Sequence, residues 1–457
     1  MDSINQIVPD SLVASFVGIL HDLTIRCDSS GGDLGIVEAA LGQAIDKVRG
    51  LLVGQALERS QAACRSSFYC SSCHKEMTPW GVYKRQVVTA HGEGQLRVER
   101  LYCRSCKTQM CPMLVRNALT GTQFSLGARR AIAEEAAEFP FGRAAQRMKR
   151  CGISVSAAQV DQIAQEVAGW RKDEEEAVRA SLLLNGRDLK LELHDKARWE
   201  RQPADTHMVI SVDGAKVRSN ALDKDGQGLE WFETRVGVLT LNCDQAPKVF
   251  VAGVSQADRL FETLWSQSRQ LAGKRPVVFV ADGANWIWDR VTQFFPKAVQ
   301  VLDIYHAAEH VASAARACWG DKSPQTSEWV ATARNRLAQP EGVQGVVREL
   351  CRCLRSRQCA DPKELTTQIH YLWKNRLRMR YAWLSNQGLP IGSGVMESAI
   401  KQTSTQRLRQ PGMMWTRDHA ALMLRLRAAC LSGSLNLTLQ RQALIAATNI
   451  QPYTVAA

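Results

Sequence analysis

The sequence predicts a multidomain α+β protein, and three stretches support this fold class. Residues 277–310 alternate between short apolar runs and amphipathic segments, which is typical of a β-α-β-α unit. Residues 70–106 contain two Cys-x-x-Cys pairs flanking strand-like alternation, and residues 125–170 have the apolar spacing of helices. A chain of 457 residues is long enough for several domains, each with its own core.

The chain carries a formal net charge of +13, and most of this excess lies in one segment. Residues 374–427 contain ten Lys and Arg against Glu397 and Asp418, which suits a polyanionic partner such as nucleic acid. No apolar run approaches the ~20 residues of a membrane span, so we expect no membrane association. Fourteen cysteines without a recognisable signal peptide indicate a reducing cytoplasm.

Residues 1–62 predict a helical region. Leu41, Ile45 and Leu52 belong to an apolar stripe with helical spacing. The stripe would pack either on the body of the protein or on a second copy, and we expect internal packing.

Residues 63–115 predict a zinc ribbon. Two Cys-x-x-Cys pairs in a reducing compartment form a tetrahedral thiolate site for a structural Zn²⁺. Between the pairs, Val82–Thr89 and Gln95–Tyr102 alternate like two strands joined at residues 91–94. The alternative is four unrelated buried thiols. The predicted ligands are Cys70, Cys73, Cys103 and Cys106.

Residues 120–172 predict a helix-turn-helix DNA-binding domain, followed by a charged linker at 173–205. A glycine-containing turn precedes the third helix, which would begin at Ser154 or Ser156 and end near Ala168. This helix would enter the major groove. The alternative is an ordinary three-helix packing unit. The side chains expected to contact DNA are Ser156, Gln159 and Gln162.

Residues 206–310 predict the first part of an α/β domain in which carboxylates follow the strands. Strands at 208–212, 277–281 and 299–302 are each followed by an aspartate, and ligands of α/β sheets bind at such strand ends. With extended segments at 231–241 and 248–254 and a helix at 256–271, the order is that of an RNase H-like fold. Asp213 and Asp282 would then lie on adjacent central strands. The alternative is that Asp282 merely caps the next helix.

Residues 311–389 predict an all-helical insertion, because a sheet crossover needs only about a dozen residues. The final part of the core, residues 390–432, begins with a turn rich in glycine and proline. A helix carrying Glu397 starts near Val395. The tail, 433–457, carries no informative pattern.

Four sequence blocks follow one another along the chain: SVDGAKVR, VADGANWIWD, LDIYHAAEH and GSGVMESAIKQ. In these blocks the sequence resembles bacterial insertion-sequence transposases of the DDE superfamily, in particular the ISKra family, relatives of the Mutator-like group. The resemblance covers roughly residues 205–430. It implies a catalytic triad of Asp213, Asp282 and Glu397, with Asp303 and His306 in the active-site neighbourhood.

The resemblance implies metal-dependent DNA cleavage and strand transfer. Three carboxylates suit two Mg²⁺ or Mn²⁺ ions per active site, with Asp213 bridging them. The expected partners are the terminal inverted repeats and target DNA, bound by a homodimer or higher oligomer at the nucleoid. Lys401 would contact phosphate or pair with Glu397 instead. The basic residues expected to contact DNA are Lys401, Arg407, Arg409 and Arg417.

Two other functions are compatible with parts of the sequence. His306, Glu309 and His310 match the HxxEH pattern of inverted zinc peptidases, although this motif leaves the strand-end aspartates and the charge unexplained. A non-catalytic DNA-binding regulator would use only the zinc ribbon and the helix-turn-helix and would leave the carboxylates unexplained. An inactive transposase copy is a further alternative, against which the intact triad argues.

Overall fold

The computed structural model describes residues 10–62, 68–186, 191–222, 229–356 and 359–448, which form a mixed α/β protein. The chain divides into two compact units, the first comprising residues 1–167 and 436–457 and the second residues 168–435. Several predicted regions lie partly outside the described residues, at 1–9, 63–67, 187–190 and 449–457. None of the helices within the described ranges is long and apolar enough to span a membrane.

The first unit contains a three-stranded antiparallel sheet and helices. Strands β1 and β2 are joined by a two-residue turn, because Thr89 pairs with Gly92, so the turn is tighter than the predicted link at 91–94. The elements are α1 (Asp10–Asp28), α2 (Leu34–Ala62), β1 (Thr78–Thr89), β2 (Gly92–Cys103), β3 (Thr108–Met110), α3 (Pro112–Arg116), α4 (Leu126–Glu138), α5 (Phe141–Arg150) and the start of α6 (Ala157–Asn185).

Helix α2 packs on the hairpin with a face other than the predicted stripe. A Cβ atom at Gly94 of β2 would lie 2.8 Å from a methyl group of Leu57 and 3.2 Å from one of Val53, so the two backbones approach closely. Leu41, Ile45 and Leu52 remain exposed. The expectation that this stripe is buried internally is therefore wrong, because small residues and Val53 form the packed face instead.

The second unit is built on a five-stranded mixed sheet in the order β6-β5-β4-β7-β8. The strands and the helix between them match the predicted positions closely. They are α7 (Lys196–Glu200), β4 (Met208–Leu222), β5 (Leu229–Leu241), β6 (Val249–Gly253), α8 (Ala257–Leu271), β7 (Val277–Ala281), α9 (Asn285–Phe294) and β8 (Val299–Leu302).

Strand β4 continues ten residues beyond the predicted end at Val212. Up to Val212 the strand is paired on both sides and every residue is buried, whereas β7 ends at Ala281 and leaves only the antiparallel pairing with β5. From Ala215 to Ser219 buried and exposed residues alternate, as expected for a strand with one solvated face. Asp213 therefore lies within β4, at the point where the parallel pairing stops.

All described elements between β8 and residue 389 are helical, and their apolar faces join the core beneath the sheet. After a short turn at residues 390–393, the chain forms α15, a π-helical turn and α16, and then α17, which packs on β6. The helices are α10 (Ile304–Trp319), α11 (Pro324–Leu337), α12 (Gly342–Arg355), α13 (Pro362–Lys374), a 3₁₀ turn (Arg376–Arg378), α14 (Tyr381–Asn386), α15 (Gly394–Ile400), the π-helical turn (Lys401–Thr405), α16 (Gln406–Leu408), α17 (Arg417–Leu431) and α18 (Leu435–Thr448).

Helix α6 runs to Asn185, well past its predicted end near Ala168 and into the charged stretch predicted as a linker. Its second half is held by Arg171, which is 2% exposed. Arg171 donates to Glu175 at 3.1 Å and to the carbonyl of Leu193 at 2.9 Å, and it lies 3.8 Å from the buried Glu174. The charges that suggested a solvated linker are therefore partly internal.

We expect Arg171→Ala to lower the free energy of unfolding of the second unit by about 3–5 kcal/mol, because Glu174 would stay buried without its cation. Urea denaturation followed by circular dichroism measures this change. The matched control is Lys196→Ala, which removes an exposed 3.5 Å pair with Glu200 and should cost less than about 1 kcal/mol. Equal effects of the two substitutions would contradict the assignment.

Candidate functional site

The candidate site forms at the carboxyl ends of β4 and β7. These strands pair in parallel from Met208 with Val277 to Val212 with Ala281. The residues that follow the last pair are Asp213 and Asp282, so the register places both aspartates at one edge of the sheet. The sequence prediction that they lie on adjacent central strands is confirmed.

Asp282 turns the chain from β7 towards α9. Its Oδ1 accepts from the backbone N–H of Ala284 at 3.0 Å, although Ala284 and not Asp282 is the N-cap residue. Asp282 thus shapes the turn without capping the helix. Gly283 has no room for a side chain, because a Cβ atom there would lie 1.8 Å from the hydroxyl oxygen of Tyr371.

Asp213 is half-buried, and burial raises the pKa of its carboxyl. The negative charges of Asp282 and Asp303 raise this pKa further. Two groups lower it: the N–H of Gly214, which donates to Oδ1 of Asp213 at 2.6 Å, and the nearby His306. The effects of Asp282, Asp303 and His306 on this pKa indicate that these groups lie close to Asp213. A cation placed there would relieve their mutual repulsion.

Asp303, at the end of β8, is buried and accepts several hydrogen bonds. Its Oδ1 accepts from the N–H of Tyr305 at 2.8 Å, and it is the N-cap residue of α10. Its Oδ2 accepts from the N–H of Ser393 at 2.9 Å and from the Ser393 hydroxyl. These bonds give Asp303 a positioning role, because they tie the turn before α15 to the edge of the sheet.

His306 and His310 occupy successive turns of α10, with ring centroids 6.0 Å apart. His310 stacks on Tyr371 at 3.5 Å, and its Nδ1 lies 2.6 Å from Oε1 of Gln368. Within the described ranges, the HxxEH residues do not gather as metal ligands. The packing of His310 therefore does not favour the zinc-peptidase interpretation.

Glu397 lies on α15, whose backbone packs on β4 and β5. The turn before this helix is fixed by the N–H of Ile304, which donates to the carbonyl of Ile391 at 3.0 Å, and by Ser393. Glu397 is exposed, and the carboxylates of Asp213, Asp282 and Glu397 do not all lie within 4.8 Å of one another. The fold therefore brings the first two predicted triad members to one edge and places the third on a helix against the same strands.

The four cysteines of the Cys-x-x-Cys pairs come together in the first unit. Their sulfur atoms all lie within 4.8 Å of one another, with Cys73 Sγ and Cys103 Sγ 3.5 Å apart. The two knuckles have the same backbone geometry. His74 and Lys107 both have positive φ, and each donates its N–H to the carbonyl of the first cysteine of its pair at 2.9 Å. Four thiols in this arrangement can hold a metal ion.

The protein electrostatics favour a thiolate in this cluster. The N–H groups of Cys73 and Ser72 lower the pKa of Cys70 to about 6. Zinc binds thiolates with Zn–S bonds of about 2.3 Å and a tetrahedral arrangement, which matches sulfur atoms at these separations. The cluster is thus compatible with structural zinc.

The predicted contact residues of helix α6 lie at its N-terminus. The Ser156 Oγ accepts from the N–H of Gln159 at 3.2 Å, and the Gln159 side chain accepts from the N–H of Ser156 at 3.0 Å. This is a reciprocal capping box, so both residues stabilise the start of the helix. Gln159 and Gln162 also line a groove of about 680 Å³ with Arg85 and Gln86 of β1.

The basic residues predicted to contact DNA have different environments. Arg407 is fully buried, and its guanidinium lies 5.1 Å from the ring centroid of Trp415. Its prediction as a phosphate contact is therefore wrong, because the side chain packs in the interior. Arg417 is exposed but pairs with Glu230, whereas Lys401 and Arg409 are exposed. Lys401 begins the π-helical turn directly after α15.

Sequence reasoning missed two residues of the candidate site. Tyr371 lies in the predicted insertion, and nothing local marks it as a neighbour of Asp282. Burial raises its pKa well above the usual range, and the charge of Asp282 adds to this effect. Ser393 lies in the glycine-rich turn before α15, where its type alone suggests only turn formation.

One family comparison overlaps this region. Residues 263–441 match the profile of an uncharacterised protein family, UPF0236, over less than half of the chain. The matched segment contains Asp282, Asp303, His306 and Glu397 but neither Asp213 nor the cysteine cluster. The family description assigns no activity. No curated protein matches the chain significantly.

We expect purified protein to contain about one zinc ion per chain, because four thiolates complete a tetrahedral site. Cys103→Ser should lose the metal and lower the melting temperature. Cys151→Ser is the matched control, because Cys151 is an exposed cysteine outside the cluster. Metal analysis of the two variants measures the difference, and equal zinc content would contradict the assignment.

We expect Gly283→Ala to destabilise the second unit by about 1–3 kcal/mol, because the new methyl group would overlap the ring of Tyr371. Denaturant unfolding of single and double variants tests this contact. The cost of Gly283→Ala should shrink in a Tyr371→Ala background, since the clashing ring is then absent. An unchanged cost in both backgrounds would rule out the contact.

Proposed function

We propose that the protein is a DNA transposase of the DDE type, with Asp213, Asp282 and Glu397 as its catalytic carboxylates. The observation that supports this proposal most directly is the parallel pairing of β4 and β7. It sets two aspartates from distant parts of the sequence at one sheet edge, and Asp303 and His306 act on the same electrostatic environment. We propose that this domain has the RNase H-like fold, with strand order 6-5-4-7-8 and residues 311–389 as an insertion.

The donor atoms fit magnesium in kind, because Mg²⁺ prefers carboxylate oxygens. Ligands of one Mg²⁺ lie within roughly 4.2 Å of each other, whereas carboxylates on opposite members of an ion pair can be roughly 8 Å apart. The three carboxylates do not all lie within 4.8 Å of one another, and binding to two ions would not require that they do. Asp213 and Asp282 would hold the ions together with Glu397.

The metal ions would supply charge neutralisation for the attacking and leaving oxygens of the phosphodiester. The protein's own residues would position this chemistry. Asp282 and Gly283 form a turn in which any side chain at position 283 would clash with Tyr371. Asp303 fixes the turn that precedes the helix of Glu397, and so restricts where this carboxylate can lie. Tyr371 packs against Gly283 in the turn after Asp282.

DNA recognition is proposed for the first unit, through a zinc ribbon and a helix-turn-helix. Helices α4, α5 and the start of α6 follow one another with short connections, as this motif requires. Gln162 is exposed at the N-terminal end of α6, where recognition helices contact bases. The exposed stripe of α2 also leaves an apolar surface for a second copy, in line with the proposed dimer on paired DNA ends.

The test is Mg²⁺-dependent cleavage of DNA that carries the element's own ends. Wild type should cleave, whereas Asp282→Ala and Asp213→Ala should lose activity by at least about 100-fold, because metal binding contributes several kcal/mol to such reactions. All three proteins should bind the DNA equally in a gel-shift assay. Asp321→Ala, which changes an aspartate with an 80% exposed side chain after α10, should retain wild-type activity.

Other outcomes would decide against the proposal. Binding without cleavage in wild type, with Mg²⁺ or Mn²⁺, would favour a non-catalytic regulator or an inactive copy. Cleavage that survives Asp282→Ala would show that the chemistry uses other residues.

A further inference from the structure

A short surface segment beside the candidate site combines arginine and tryptophan side chains. Residues 373–383 form the end of α13, the 3₁₀ turn and the start of α14. Three successive pairs place a guanidinium over an indole ring. The distances to the ring centroid are 4.4 Å for Arg376 over Trp373, 4.4 Å for Arg378 over Trp288 and 4.7 Å for Arg380 over Trp383.

The middle pair anchors the segment. Arg378 is half-buried, and it donates to Gln300 of β8 at 2.8 Å and to Asn375 at 2.9 Å, while Trp288 belongs to the core. In the outer two pairs the tryptophans are exposed, Trp373 by 47% and Trp383 by 43%. Arg380 is exposed as well, whereas Arg376 is half-buried and donates to the carbonyl of Trp373 at 2.8 Å. We call the outer pairs together with Lys374 the arginine–tryptophan surface.

This surface begins directly beside the turn of Asp282. Lys374 donates to Oδ1 of Asn285, the first residue of α9, at 2.7 Å. One turn earlier on α13, Tyr371 lies against Gly283. A ligand bound on the surface would therefore lie next to the carboxylates. No acidic residue occurs between Glu364 and Glu397 along the chain, and the charge of Asp289 acts on Arg378, the middle arginine.

We propose that the arginine–tryptophan surface binds an unpaired stretch of a DNA strand next to the carboxylate edge. The proposal rests on the proposed function for the role of that strand. Cationic groups suit phosphates, and flat indole and guanidinium faces suit stacking with bases. The bases of a duplex are already stacked on each other, so exposed indole faces would add nothing to duplex binding. The combination of both features selects a single strand.

The surface was not among the predicted DNA contacts, which lie either at the start of α6 or C-terminal to Glu397. Sequence showed the basic charges of the segment but not their pairing with tryptophans. Arg376 and Arg378 in the turn are both half-buried, whereas Arg380 directly after it is exposed.

The experiment compares the binding of a fluorescein-labelled 12-nucleotide single strand and the matching duplex to the full-length protein, without added Mg²⁺. Trp373→Ala and Arg376→Ala should each weaken single-strand binding by about tenfold, since base stacking on an aromatic side chain contributes to this extent. Duplex binding should change by less than about twofold. Trp373→Phe should restore most of the single-strand affinity, because it keeps a flat ring.

Two matched controls separate this surface from general effects. Trp231→Ala removes another exposed tryptophan of the second unit, and Arg348→Ala removes another exposed arginine of the helical region, so neither should alter single-strand binding. Thermal unfolding identifies variants that fail to fold, and Arg376→Ala and Trp373→Phe then carry the test.

Several results would overturn the inference. The first is that wild type does not bind the single strand. The second is that Trp373→Ala and Arg376→Ala bind it as tightly as wild type does. The third is that the two variants lose single-strand and duplex binding equally. DNA cleavage is scored separately. If wild type cleaves DNA and the surface variants bind the single strand normally, only the proposed role of the surface is refuted. If single-strand binding depends on Trp373 but no cleavage occurs, only the proposed transposase activity is refuted.

Discussion

The parallel pairing of β4 with β7 determines the position of every other part of the candidate site. Five consecutive residue pairs, from Met208 with Val277 to Val212 with Ala281, fix the register in a fully buried part of the sheet. Because this part of β4 is buried on both faces, a shift by one residue would exchange its side chains between two closely packed faces, so the core itself enforces this register. Asp213 and Asp282 follow the last pair and therefore lie together. Their mutual repulsion, together with burial, is the electrostatic cost of this arrangement.

The helical segment between β8 and α15 contacts residues of the candidate site directly. Tyr371 lies against Gly283 and stacks on His310, and Lys374 binds Asn285. These contacts join α13 to the turn after Asp282 and to α10. The same helix leads into the arginine–tryptophan surface, so one element braces the carboxylate edge and carries the proposed strand-binding side chains.

The basic segment 374–427 shows why charge counts alone do not locate a binding surface. Arg407 and Arg427 are buried, Arg378 is half-buried, and Arg425 pairs with Glu175. Burial lowers the pKa of Arg378, but an arginine remains protonated at neutral pH, so these residues still need internal acceptors or aromatic faces. Among the described residues, the exposed cations that remain without an acidic partner are fewer than the sequence suggests: Lys374 and Arg380 on the arginine–tryptophan surface, and Lys401 and Arg409 farther along the chain.

The sequence by itself determined the strands at 277–281 and 299–302, the helix after Asp282 and the four clustered cysteines, because each depends on local periodicity or on fixed short spacing. Only the tertiary structure decided how far β4 and α6 extend, since partner strands and the buried Arg171 network stabilise segments whose local pattern is weak. It also decided that Arg407 is internal and that Tyr371 lies beside Gly283. Those outcomes depend on contacts between residues dozens of positions apart, and no local pattern in one sequence encodes them.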